Sequence, residues 1–113
     1  MDYPDDQIAE LKVLCPGVAR GDESGSTYFV LPSLLLPDGC EPSEVDALLC
    51  PTPRDGYSSR LFFSKRVSSR KSLNWNAVQV RILERNWDAY SWRVNRTDLR
   101  LAQMISCHLE GLR

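Results

Sequence analysis

A chain of 113 residues with a formal net charge of −1 has room for one hydrophobic core, so residues 1–113 read as a single domain. The near-neutral balance argues against a nucleic-acid partner held by bulk electrostatics. No apolar run approaches the roughly 18 residues that span a bilayer, so no membrane partner is expected either.

The N-terminal stretch MDYPDDQIAE is acidic and lacks the basic, apolar and small-residue blocks of a signal peptide, and a cytoplasmic location is expected. In that reducing compartment Cys15, Cys40, Cys50 and Cys107 should be free thiols, with no C-x-x-C pair among them. His108 is the single histidine, so no zinc site and no other cofactor is expected.

In chain order, Ile8, Leu11 and Cys15 fall on one helical stripe over Asp5 to Cys15. Asp2 or Pro4 can start that helix, and Pro16-Gly17 stops it. Val18 to Arg20 reads as a brief strand and Gly21 to Ser26 as a polar turn. Three short apolar runs follow, Tyr28 to Leu36, Val45 to Cys50 and Leu61 to Phe63. Pro37-Asp38-Gly39 and the segment Pro51 to Gly56 separate them as turns, which predicts an antiparallel meander. Pro32 places a bulge in the first long strand or puts it at an edge.

Ser64 to Asn74 is polar and basic without periodicity and reads as a long loop. Val78, Val80 and Ile82 alternate with Gln79 and Arg81 as a half-buried strand. The aromatic segment from Asn86 to Trp92 reads as packing rather than a ligand box. Leu101, Ala102, Ile105, Leu109 and Leu112 make the apolar stripe of a helix over Thr97 to Leu112, capped by Asn95 or Thr97. Gly111 fits a fraying end. Strands flanked by helices in this order predict an α+β sandwich: N-terminal helix, antiparallel meander of about four strands, irregular crossover, C-terminal helix.

Two stretches carry a family resemblance. LPDGCEPSEVDALLCPTPRDGY (Leu36 to Tyr57) has a Leu-Pro-x-Gly turn, an Asp-x-Leu-Leu strand and a Pro-rich turn ending in an aromatic. NWDAYSWRVN (Asn86 to Asn95) has a Trp-x-x-aromatic-Ser patch before the final helix. With the element order, these resemble the ubiquitin-conjugating-enzyme-like (UBC/RWD) superfamily. They look in particular like its bacterial branch, the prokaryotic UBC-like family E, encoded beside ubiquitin-like proteins, activating enzymes and JAB-type peptidases.

That resemblance implies a test. A conjugating enzyme needs a cysteine thiolate on the crossover to carry the ubiquitin-like protein, and a polar group, usually Asn in His-Pro-Asn, to stabilise the oxyanion. The family's cysteine slot falls near Gln79 or Val80, yet no cysteine lies between Cys50 and Cys107 and His-Pro-Asn is absent. Cys15, Cys50 and Cys107 read as structural. Cys40 follows a turn and should be exposed; it is the one candidate for a displaced nucleophile, with Asp38, Glu41 and Glu44 raising its pKa. His108 beside Cys107 points elsewhere on a helix, and Ser91 has no base at a readable spacing.

The expectation is a non-catalytic scaffold or accessory subunit of a bacterial ubiquitin-like conjugation pathway, with antiphage defence as the role the family implies. Its partners would be the ubiquitin-like protein, its activating enzyme or an active conjugating enzyme. The alternative is an active conjugating enzyme using Cys40; an unrelated α+β interaction domain is a third reading. Candidate partner-binding residues are Arg60, Lys65, Arg66, Arg70 and Lys71, with an exposed Trp75 as anchor or, equally, packed over the sheet. The acidic start of the N-terminal helix is the other candidate surface.

Overall fold

The computed structural model describes residues 3–96 and 98–113. It is an α+β fold with helix α1 at Asp5–Leu14 and helix α2 at Leu101–Leu109, the latter extended by a 3-10 turn at Glu110–Leu112. Between them run β1 (Ala19–Glu23), β2 (Ser26–Leu35), β3 (Glu44–Cys50), β4 (Arg60–Phe63), β5 (Trp75–Ile82) and β6 (Arg85–Tyr90). They form one antiparallel sheet in the order β1-β2-β3-β4-β6-β5. The expected meander is therefore present as β1 to β4, and two further strands extend it.

Alternation along the central strands sorts their side chains onto two faces. Phe29 and Leu31 of β2, Ala47 and Leu49 of β3, and Leu61 and Phe63 of β4 share a core with Leu11, Leu101 and Ile105, which places both helices on one face. Tyr28, Leu48, Cys50 and Phe62 point the other way, into a second core with Ala77, Ile82, Trp87 and Ala89 of β5 and β6. β6 touches the meander's register only at Phe63↔Asp88, and the β5–β6 hairpin swings across the face opposite the helices. Its tip reaches the far edge: the Leu83 N–H donates to a Glu23 carboxylate oxygen at 3.2 Å, and Arg85 pairs with Asp46 of β3 at 3.2 Å.

Several expectations are corrected by this arrangement. The stretch from Gly21 to Ser26 is mostly strand; only Ser24 and Gly25, with φ of 52° and 80°, form the turn. Pro32 does lie at a bulge, between the register pairs of Leu31 and Leu34, but in an interior strand. The expected alternation of β5 fails because Gln79 adopts φ 53° at an irregularity between Ala77 and Val80. Its N–H goes instead to the buried Asp88 carboxylate at 2.7 Å, and Val78 turns outward, 47% exposed. The aromatic segment from Asn86 packs as expected, with Trp87 buried, but it does so as strand β6, an element the sequence did not show.

α1 starts after Pro4; Asp2 lies outside the described residues. α2 begins four residues later than Thr97, which also lies outside them, so Asn95 does not cap it. Instead the Arg100 N–H donates to the Gln103 side chain at 2.8 Å, and the Leu101 N–H donates to Gln7 of α1 at 3.1 Å. Arg100 also grips Glu10 and Asp6, which lowers the Asp6 carboxyl through the Arg100 hydrogen bond and raises the Arg100 guanidinium. Part of the acidic α1 surface is thus occupied in joining the two helices. No helix among the described residues is long and apolar enough to cross a membrane.

Candidate functional site

A dense polar constellation forms where the loop between β3 and β4 meets the ends of β5 and β6. Arg60 opens β4, where alternation would face it into the second core, and its side chain is only 4% exposed. A buried guanidinium needs its charge and its N–H groups answered. One N–H group donates to Asp55 at 3.1 Å, another to the Asn76 side-chain oxygen, and the plane lies 4.3 Å from the centroid of the Tyr57 ring. Arg54 runs alongside, donating to the Tyr28 hydroxyl at 2.8 Å and lying over Phe62.

Tyr57 is the hub. Asn76 donates to its hydroxyl at 2.9 Å, and Ser91 Oγ lies 3.0 Å away. These bonds, Ser91's first, hold the phenol below its usual pKa, helped by Arg60 and Arg93. A second guanidinium, from exposed Arg93, also lies over the ring, 4.7 Å from its centroid, and donates to the Gly56 carbonyl at 2.8 Å. Ser58 Oγ donates to the Val94 carbonyl at 2.7 Å and ties the two loops together. An open groove of about 470 Å³ runs along this seam, lined by Pro53, Tyr57, Ser58, Arg93, Val94 and Asn95 among others.

The expected site residues do not gather here. Lys65, Arg66, Arg70 and Lys71 are exposed on the segment after β4, as expected of a basic loop. Two of them are already engaged. Lys71 Nζ sits 3.4 Å from the Glu110 carbonyl and over the Trp92 ring at 5.5 Å, where a cation suits the C-terminal end of a helix. Arg70 lies against Gly39 and lines a cleft with Leu36, Asp38 and Arg113. Arg60, grouped with these from sequence, is internal, because its strand position turns it under the hairpin. Trp75 is half-buried and meets Phe63 and Tyr90 edge-on at 6.0 and 5.5 Å, which is the packing alternative.

Cys40 is a further correction. It is 5% exposed within the helix-side core, not on the turn's surface. Its thiol is pushed up chiefly by burial, with Arg70 pulling the other way, and the neighbouring acids are not the cause. Burial likewise raises Cys15 and Cys50, and Cys15 Sγ donates to the Pro32 carbonyl at 3.1 Å. Cys107 is partly exposed on α2. His108 faces away from it, buried, with Nε2 2.9 Å from Ser59 Oγ. Among the described residues no group of His, Cys, Asp and Glu has the makings of a metal site.

Tyr57 and Arg93 escaped the sequence reading as a pair because 36 positions separate them in the chain. The only signal was the aromatic closing the Pro-rich turn, which pointed to Tyr57 alone. Comparison with protein-family models, with curated proteins and with solved structures finds no match to this chain.

Proposed function

We propose that this chain is a non-catalytic relative of the ubiquitin-conjugating enzymes, a scaffold or accessory subunit of a bacterial ubiquitin-like conjugation pathway. It binds the ubiquitin-like protein, its activating enzyme or an active conjugating partner, and no thioester passes through it. The observation that carries the non-catalytic half is the state of Cys40: buried at 5% exposure, with its thiol raised by that burial. A nucleophilic cysteine needs access and a stabilised thiolate. The order of elements supports the family half. A helix precedes a four-stranded meander, the chain then passes over the far face of the sheet, and a last helix packs beside the first. The exposed Lys65 and Arg66 and the free part of the acidic α1 face are the docking surfaces in this reading.

One feature favours the alternative, a conjugating enzyme that uses Cys40: the Arg70 guanidinium favours its thiolate, although less than burial opposes it. A charging assay separates the two. The chain is incubated with ATP and with the ubiquitin-like protein and activating enzyme encoded beside it, run on a non-reducing gel, and followed by size exclusion. The expected result is co-elution without an adduct. A dithiothreitol-sensitive adduct lost in Cys40→Ala would make the chain an enzyme, and absence of both adduct and complex would remove the pathway reading.

A further inference from the structure

The groove beside Tyr57 combines an apolar floor with an unanswered charge. The two segments that build and underlie it, 51–60 and 91–96, carry four arginines, Arg54, Arg93, Arg96 and the internal Arg60 at the start of β4, against one aspartate, Asp55. The chain as a whole has a net charge of −1, so this seam is a local exception. Arg54 and Arg60 both lie against Asp55, at 3.8 and 3.1 Å, and Arg96 pairs with Asp98 at 3.4 Å. Arg93 differs: it is exposed, and among the described residues no carboxylate pairs with it. Its one hydrogen bond, to the Gly56 carbonyl, and its place over the Tyr57 ring fix the plane of the guanidinium. The remaining N–H groups stay available. A pre-set planar fork favours a planar bidentate acceptor over a point charge.

Pro53, the Tyr57 ring and Val94 form the floor beside that fork. The Ser58–Val94 bond holds the two walls at a fixed spacing, and exposed Asn95 at the rim offers both an amide donor and an acceptor. A free inorganic anion would use the fork and leave the floor wet. A purely apolar ligand would cover the floor and strip water from Arg93 without replacing it, which is unfavourable. We infer that the groove binds an extended acidic peptide segment, with a side-chain carboxylate on Arg93 and a neighbouring apolar side chain on Pro53 and Val94. Asn95 takes a backbone amide of that peptide. The inference needs only the groove and does not depend on the conjugation-pathway reading.

The test is an amide chemical-shift titration of the full chain with acetyl-Leu-Glu-Leu-Glu-amide, and with its Leu-Gln-Leu-Gln counterpart. The Glu peptide is expected to shift Gly56, Tyr57, Ser58 and the amides of 93–95, with a dissociation constant on the order of a millimolar or tighter. The Gln peptide should bind roughly tenfold more weakly, the loss of one charge-assisted pair. Arg93→Gln should abolish that preference. Arg93→Lys, which keeps charge and loses the fork, should keep only part of it. Equal binding of the two peptides, no binding of the Glu peptide, or shifts confined to Lys65–Lys71 would each overturn the proposal. So would groove amides that move with protein concentration in the absence of peptide, which would make a second copy of this chain the occupant.

Discussion

Ser59 and His108 lie 49 positions apart, and their side chains meet in the interior, Oγ to Nε2 at 2.9 Å, where the start of β4 faces the end of α2. Burial, with Arg60 nearby, holds the imidazole down to about 4, against an ordinary 6.5. The unfolded chain therefore binds a proton at this residue between pH 6.5 and pH 4 while the folded chain does not. The stability tied to neutral His108 is complete above pH 6.5 and is lost as pH falls through that window. At about 1.4 kcal/mol per unit, the loss reaches roughly 3 kcal/mol by pH 4. His108→Gln keeps an Nε2 for Ser59 and removes the titration. Urea unfolding at pH 7 and pH 4.5 should show the variant losing much less stability than the parent. An equal loss would mean that other groups govern the acid limb.

How much of this was legible in sequence depends on what each element rests on. α1, β2, β3, β4 and α2 rest on local apolar periodicity, and each was readable to within a few residues. The β5–β6 hairpin rests on a turn that the sequence hides. Leu83 and Glu84 connect the strands with φ of 51° and 65°, a conformation in which Asn-Gly or Asp-Gly is the usual signal. Without that signal the segment from Asn86 to Trp92 read only as aromatic packing, with no strand. The burial of Arg60 followed from the same gap, whereas Cys40 is buried by the helix-side core that closes over the turn after β2. A residue's face can be read from alternation, but what covers the face comes from a distant segment. The Tyr57–Arg93 groove is wholly a product of that tertiary placement.

The hidden turn is itself testable. A non-glycine residue in the left-handed region costs about 1–2 kcal/mol, and glycine there gives back roughly half of that through backbone entropy. Glu84 is exposed, with no packing to lose. Glu84→Gly should therefore raise stability by about 0.5–1 kcal/mol, read as a higher urea midpoint at unchanged slope. A lower midpoint would mean that the Glu84 side chain contributes something beyond the turn.

Gly111 read from sequence as a fraying terminus, but it is buried. A Cβ there would lie 2.8 Å from both the Trp92 and Tyr90 rings. The Trp92 indole is anchored on the Cys107 carbonyl at 2.9 Å and the Tyr90 hydroxyl on the His108 carbonyl at 2.7 Å, so neither ring can withdraw cheaply. Gly111→Ala should destabilise the chain by about 1–3 kcal/mol, an overpacking cost, despite alanine's better helix propensity. Thermal unfolding would register this as a Tm several degrees lower. An unchanged or higher Tm would show that the terminal turn frays in solution.

Arg60 and Lys65 looked equivalent in the basic segment, and the fold separates them. Arg60→Met gives up the hydrogen bonds to Asp55 and Asn76 and the contact with the Tyr57 ring. Exposed Asp55 and Asn76 regain water, so the cost should be about 1–3 kcal/mol. Lys65→Ala alters an exposed side chain and should stay within about 0.5 kcal/mol. Denaturant melts of the two variants decide it. If Arg60→Met were as mild as Lys65→Ala, Arg60 would belong to the solvent-facing basic surface after all.

The thiols give the most direct check on whether Cys40 can act as a nucleophile. Burial raises Cys15, Cys40 and Cys50, and each is at most 5% exposed; Cys107 alone is partly exposed. Reaction requires a thiolate that the reagent can reach. With an aromatic disulfide at pH 8, the native chain should therefore modify one thiol readily, removed by Cys107→Ser. The other three should follow only at the rate of unfolding, or at once in denaturant. Because burial and not neighbouring acids raises Cys40, neutralising Asp38 and Glu41 should leave its protection intact. A fast native reaction lost in Cys40→Ala would mean that the turn after β2 opens in solution, and it would return Cys40 to candidacy as the carrier of a thioester.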